Sequence, residues 1–211
     1  MTKETIVERV PVGVNEANCY LVAEDKGCQG VVIDPGDDAD VILRRCSLLD
    51  LSVVQILITH CHWDHIAAVR EIKERTSAKV CCHREDVPLY NALVEQLAFM
   101  GMRGKPPPAV DSFVGDNETI EVAGLRFTVL HTPGHSPGSV SYLLDGCLFC
   151  GDVLFEGGGV GRTDLPGGSA SKLKASITKR IFSLPPETVI YPGHGPETTV
   201  GRERSSNLLL F

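Results

Sequence analysis

The chain has 211 residues, 43% hydrophobic and 22% charged, which are the proportions of an ordinary globule; collagen-like, disordered and coiled-coil classes are excluded, and one core can serve a single domain over 1–211. Acidic residues outnumber basic ones by 27 to 20, for a formal charge of -7, and no Lys/Arg-rich block occurs, so nucleic acid is not expected as a partner. The first residues, MTKETIVERVPVG, carry charges where a secretory signal needs an apolar run, and no stretch reaches membrane-spanning length; a cytoplasmic protein without a membrane partner is expected.

In chain order, NCYLVAE and QGVVIDPG read as strands closed by turns, with Pro35-Gly36 ending the second. A helix follows over DADVILRRCSLLD, capped by Asp38 or Asp40, with Ile42, Cys46 and Leu49 on one stripe and Arg44 off it. VVQILIT is a short apolar run suited to a strand buried on both faces. The helix HIAAVREIKERTS sets Ile66, Val69 and Ile72 on one face, and AKVCCH is the next strand. From Arg84 to Val110 the pattern weakens. EDVPLYNALVEQLAFMGM reads as helical, RGKPPPAV must be extended because consecutive prolines cannot sit inside a helix, and the whole is expected to be a surface excursion. Strand signals restart in TIEVAGLRFTVLHT, SVSYLLDG and CLFCGDVLF, and a helix SASKLKASITKRIFSL, a strand TVIYPG and a short terminal helix complete the chain. Two successive sets of strands and helices with antiparallel character favour an α/β (α+β) chain folded as an αββα sandwich, over a doubly wound parallel sheet.

Eight cysteines in a chain of this length with no export signal read as reduced thiols. Cys147 and Cys150 of CLFC, and the adjacent Cys81 and Cys82, fall on strands where such spacings point to opposite faces, which argues against chelation.

The chemistry concentrates in ILITHCHWDHIAAV. His60, His62, Asp64 and His65 begin where the apolar run ends, at a strand's C-terminal edge and the start of a helix. Residues 60 and 62 share a face if the strand continues, and Asp64 and His65 reach the same space from the turn. Neutral imidazoles with a carboxylate suit zinc, and also iron or manganese. Two further segments repeat the setting: HTPGHSPGS places His135, and YPGHGP places His194, on tight turns after strands. Asp152 in FCGDVLF lies in apolar sequence, where a buried carboxylate is costly unless it meets a cation.

HCHWDH with downstream PGHSPGS, GD and PGH resembles the metallo-β-lactamase-fold hydrolases, and GDVLFEGGGVGRTDLPGGS is similar to their short glyoxalase-II-like branch, over about Asn15 to Arg202. The resemblance implies a two-metal site at one edge of an αββα sandwich. His60, His62 and His135 would hold one metal, Asp64, His65 and His194 the other, and Asp152 would bridge them. It implies two divalent ions, zinc first with iron or manganese as alternatives, that generate a bridging hydroxide near neutral pH and polarise a carbonyl. The expected enzyme is therefore a metal-dependent hydrolase of a small thioester such as an acyl-glutathione, whose thiolate leaves with little protonation. Asp64 and Asp152 would serve the chemistry directly. His83 and His131 lack the motif context and read as strand-end imidazoles. Cys61 receives no catalytic role.

On the substrate side the chain departs from full-length glyoxalase II. The resembling enzymes bind glutathione partly through a C-terminal helical segment, most of which is missing here, and through a loop Lys and Tyr whose matching positions are Arg162 and Asp164. Arg162 can clamp a substrate carboxylate, or it can pair internally with Asp164 and hold the glycine-rich loop. Two other function classes remain open. Persulfide dioxygenases share HCHxDH and GRTD and bind one iron through residues matching His60, His135 and Asp152, and a non-enzymatic metal-binding module would hold metal without turnover.

Overall fold

Residues 5–207 are described, from a computed structural model. Strands β1 (Ile6–Val12) and β2 (Ala17–Ala23) form a hairpin, and β3 (Gln29–Ile33) pairs antiparallel with β2. The chain then alternates through α1 (Ala39–Leu48), β4 (Ser52–Leu57), α2 (Trp63–Ile66), α3 (Val69–Thr76), β5 (Lys79–His83), α4 (Val87–Asn91), α5 (Leu93–Phe99) and β6 (Ser112–Val114). These strands make one six-stranded sheet in sequence order, parallel from β3 onward. A second six-stranded sheet, in order β12-β11-β10-β9-β8-β7, takes the rest. Its strands are β7 (Thr119–Val122), β8 (Leu125–His131), β9 (Val140–Leu144), β10 (Cys147–Gly151), β11 (Val189–Pro192) and β12 (Thr198–Thr199). Helix α6 (Ala170–Ser176) lies between β10 and β11 in sequence, and α7 (Val200–Ser206) follows β12.

Alternation along the strands sets the layers. Ile56 of β4 packs on the helix side with Leu21, Val32, Ile42 and Ile72, whereas its neighbour Leu57 faces the other sheet with Val22, Ile33, Phe127 and Tyr142. Phe149 joins that intersheet core, and the residues on either side of it, Leu148 and Cys150, pack with Leu173 and Ile177 at α6. Three cores therefore separate four layers, the αββα sandwich. Each large side chain so buried contributes about 1.5–3 kcal/mol, and a one-residue slip would exchange one core for another, so the register is strongly specified. The cysteines obey the same alternation: Cys81 faces the intersheet core and Cys82 the helices, and all eight are free thiols.

Several expected details differ. Asp38 stands at the N-terminus of α1 in left-handed backbone (φ 49°), and its carboxylate accepts from the Gly13 N–H of the β1–β2 loop instead of capping the helix. The helix expected over 65–77 begins earlier, at Trp63, and breaks after Ile66. The Ala67 N–H is shared between the helical Trp63 carbonyl (3.0 Å) and the Gly36 carbonyl (3.1 Å), and the Ala68 N–H turns to the Pro35 carbonyl (3.1 Å), which draws the chain out of helical register. The stretch expected as a surface excursion is only partly one. Tyr90, Leu93 and Leu97 are buried against the first sheet, Asp86 is buried, and only the proline segment lies extended and largely exposed. SASKLKASITKRIFSL is helical, but passes from α6 into a π-helical turn over Ile177–Ile181. No helix among the described residues is long and apolar enough to cross a membrane.

Candidate metal centre

All seven expected ligands come together where loops from both sheets meet. Although β4 ends at Leu57, before the histidines, His60 and His62 still converge on one point. Asp34, at the end of β3 with φ 51°, provides the reason. Its carboxylate accepts from the Thr59 N–H (2.7 Å), the Thr59 hydroxyl (2.5 Å) and His65 Nδ1 (3.0 Å), and so fixes the start of the loop and one of its rings together. Thr59 Oγ1, its proton committed to Asp34, accepts from His60 Nδ1 (3.1 Å).

These bonds choose the tautomers. His135 Nδ1 donates to the Arg162 carbonyl (2.8 Å) and His194 Nδ1 to the Asn15 carbonyl (3.1 Å), so His60, His65, His135 and His194 all have Nδ1 engaged and Nε2 left to face the centre. His135 Nε2 lies 2.8 Å from His62 Nδ1 and 3.2 Å from His60 Nε2. A single proton can satisfy one such pair but not all three nitrogens, whereas nitrogens at these separations can share one divalent cation bound at about 2.0–2.1 Å. A second group, Asp64, His65 and His194, lies beside the first and is more open to solvent, with His194 Nε2 3.6 Å from Asp64 Oδ2. Asp152, just beyond β10, stands between the groups. Its Oδ1 is 3.4 Å from His65 Nε2, and its Oδ2 is 3.6 Å from both His135 Nε2 and His194 Nε2.

At 3.4 Å neither His65 Nε2 nor Asp152 Oδ1 is well hydrogen-bonded, and both are buried without a partner. Orphaned polar atoms of this kind are what a metal site looks like without its ion, and the donor set fits divalent cations. Burial alone would raise the Asp152 pKa, but the His65, His135 and His194 rings override it and hold the carboxyl well below the usual range. Burial and the His135 ring pull His62 down to about 4, so its imidazole is neutral and ready to ligate at pH 7. For His65 burial works against the charged form, yet Asp152 and Asp34 outweigh it and raise its pKa. Gly193 is required at this point: a Cβ there would stand 2.1 Å from Asp152 Oδ1 and 2.8 Å from His65 Cε1.

The other candidates divide. Arg162 is not drawn toward the ligands. Its guanidinium pairs with Asp164 through two bonds of 2.7 Å on the exposed loop, and it is the Arg162 backbone carbonyl that serves the centre, through His135. Cys61 is buried against Cys82 with its thiol pKa raised by burial, away from the ligand cluster, and His83 and His131 stack at strand ends (4.3 Å between centroids). Sequence reading missed the supports. Asp34 was visible only as the residue before a Pro-Gly turn. Asp86 accepts from Cys61 N–H (2.9 Å), Ser136 Oγ (2.7 Å) and Gly138 N–H (2.6 Å), tying the His60–His62 loop to the His135 loop. Gln96 of α5 holds the Cys61 carbonyl (3.0 Å) and the Trp63 N–H (3.1 Å).

The profile of the metallo-beta-lactamase superfamily matches residues 12–194. The chain belongs to that superfamily. It is 35% identical over 213 residues to the hydroxyacylglutathione hydrolase GloC of Haemophilus influenzae, with 97% of each chain covered. Among solved structures, BLEG-1 B3 metallo-beta-lactamase superposes with a TM-score of 0.90 at 35% identity (97% of this chain, 99% of that one). TTHA1623 in a di-iron-bound form gives 0.87 at 39% identity (96% and 99%). ETHE1 from Myxococcus xanthus gives 0.81 at 33% identity (96% and 83%). The superfamily is one of metallo-hydrolases, and the His/Asp groups described above have the donor types and spacing suited to divalent ions.

Proposed function

We propose that the protein is a metal-dependent thioester hydrolase of the short glyoxalase-II-like branch, acting on acyl-glutathione or a similarly small thioester. It would work as a single 1–211 domain in the cytoplasm. The observation that carries the reading is the position of Asp152 between two complete three-residue groups. His60, His62 and His135 would hold one ion, Asp64, His65 and His194 the other, and Asp152 both. Zinc is the ion proposed, with iron or manganese as alternatives, and the di-iron form of TTHA1623 keeps iron in view. Ions held there supply a water of lowered pKa and a polarised carbonyl.

The chain's own residues do the rest. Asp34, Thr59 and the Arg162 carbonyl keep the Nε2 lone pairs aimed inward, so the ligands need no reorganisation when substrate arrives. No nucleophilic side chain is called for, and Cys61, which lies between two of these residues in sequence, is buried and protonated. A thiolate leaves without a proton donor, which suits a centre whose ionisable groups are committed as ligands. The resemblance to GloC across 97% of both chains supports the acyl-glutathione reading.

The test is metal analysis of protein purified without added metal, paired with anaerobic turnover of an acyl-glutathione and oxygen uptake on glutathione persulfide. Two ions per chain with anaerobic thioester cleavage support the proposal. One iron with oxygen consumption replaces it with the persulfide dioxygenase reading, and metal without turnover on any ester, thioester, lactam or lactone replaces it with a binding module.

A further inference from the structure

The two ligand groups are not supported alike. The three-histidine group is held from the interior: His60, His62 and His135 are buried, and two of the rings are oriented by Thr59 and the Arg162 carbonyl. In the outer group only His65 has that kind of support, from Asp34. Asp64 and His194 instead meet one residue of the β1–β2 loop. The Asn15 side-chain amide donates to Asp64 Oδ2 (2.9 Å), and its backbone carbonyl accepts from His194 Nδ1 (3.1 Å).

We infer that Asn15 is the positioning residue of the outer group, so that the β1–β2 hairpin decides whether a second divalent ion is held. The inference rests on the two-ion reading proposed above. Asn15 itself is exposed and contributes no ligand atom. Its effect is through its neighbours. A carboxylate oxygen has two lone pairs, so Asp64 Oδ2 accepts from Asn15 and still faces His194 Nε2, 3.6 Å away. The carbonyl bond fixes the His194 tautomer with Nε2 free, in reach of both Asp64 and Asp152. One residue thereby sets the mutual geometry of two ligands that are 130 positions apart in sequence.

The loop is built to hold Asn15 still. Gly13 (φ 67°) and Glu16 (φ 50°) bracket it in left-handed backbone, and a Glu16 N–H to Gly13 carbonyl bond (3.2 Å) closes the turn. Upstream, Asp38 takes the Gly13 N–H (2.8 Å), the same bond that removes it from capping α1. Downstream, Asn18 donates from its backbone to Gly193 (2.7 Å) and from its side chain to the Pro192 and Gly195 carbonyls (2.9 and 2.8 Å), and Tyr20 donates to Pro192 (2.6 Å). The hairpin and the His194 loop are therefore one clamped unit, with Asn15 at its tip.

Removing an outer partner of a metal ligand typically weakens metal affinity by about 10- to 100-fold. Metal-free wild type, Asn15→Ala, Asp64→Asn and the double variant should be titrated with Zn(II) by calorimetry and chelator competition, and with Co(II) by visible absorption. Wild type should take two ions. Asn15→Ala should bind the first with unchanged affinity and cobalt spectrum, bind the second roughly 10- to 100-fold more weakly, and melt at the wild-type temperature. Adding Asn15→Ala to Asp64→Asn should cost little more than Asp64→Asn alone, as expected if Asn15 acts largely through that carboxylate. Two ions held with wild-type affinities by Asn15→Ala would overturn the inference and leave the two-ion reading standing. Equal weakening of both steps with a lowered melting temperature would overturn it in favour of a general structural role. One ion in wild type would overturn the two-ion reading and this inference with it.

Discussion

Replacing Asp86 by Ala tests whether the two ligand loops are tied together as the geometry indicates. The carboxylate accepts three bonds: Cys61 N–H at 2.9 Å, Ser136 Oγ at 2.7 Å and Gly138 N–H at 2.6 Å. Ser136 keeps a partner in Ser139 Oγ (2.7 Å), so the substitution orphans two buried backbone amides. Each unsatisfied buried donor costs about 1–3 kcal/mol, for a gross loss of roughly 2–6 kcal/mol. Burial raises the Asp86 pKa, so removing the carboxylate also relieves a desolvation cost, which places the net effect in the lower part of that range, about 2–4 kcal/mol. For a chain of this size 1 kcal/mol moves the melting temperature by roughly 2–4 °C, so a fall of roughly 4–16 °C is expected. Asp86→Asn should rescue it only in part, because its amide oxygen can replace one carboxylate oxygen while its nitrogen turns a donor toward a donor at the other. Cys61 lies between two ligands and Gly138 three residues beyond a third, so metal content should drop in the same variants. Calorimetric melting and metal analysis decide the matter, and a fall of less than roughly 2 °C with full metal content would refute the tie.

Proton release should distinguish the two groups. Burial and the His135 ring lower the His62 pKa to about 4, whereas Asp152 and Asp34 outweigh burial and raise that of His65, so protons compete with an ion more strongly at His65 than at His62. Ion binding at the outer group should therefore release more proton, and weaken more steeply on acidification, than binding at the inner group; calorimetry in buffers of different ionisation enthalpy checks this, and equal release at both steps would contradict it. Arg162 and Asp164 form an exposed pair, so Arg162→Ala should leave the melting curve unchanged and raise KM for acyl-glutathione about tenfold while sparing a thioester without carboxylates. Asp164→Ala, which frees the guanidinium, should lower the same KM, and equal losses on both substrates would remove Arg162 from substrate binding. Gly193→Ala drives a methyl group into Asp152 and His65, and should empty the centre of metal with a smaller effect on folding, read by metal analysis beside circular dichroism.

The convergence of the seven candidate residues was legible in the sequence because each sits in a short motif at a strand end, and the layers because adjacent residues such as Ile56 and Leu57 alternate between two apolar environments. The supports were not. Asp34 reaches Thr59 across 25 positions, Asp86 reaches Gly138 across 52 and Asn15 reaches Asp64 across 49, and a single Asp or Asn in a loop carries no local sign of such a partner. The same limit explains the helix boundaries. Nothing within HIAAVREIKERTS shows that Pro35 and Gly36 will take two of its amides, nor does DADVILRRCSLLD show that Gly13 will occupy its Asp38.

Each sheet is made from one half of the chain: the first from residues 6–114, the second from residues 119–199. His60, His62, Asp64 and His65 belong to the first half, His135, Asp152 and His194 to the second, and each ligand group draws on both. His60 and His135, 75 positions apart, meet only when the two sheets face each other. Neither half on its own completes the His60–His62–His135 or the Asp64–His65–His194 group, so binding at either waits for the long-range docking of the two sheets. Metal uptake during refolding should then lag behind secondary structure and coincide with the closing of the sandwich, making the bound ion a reporter of when the two halves have found each other.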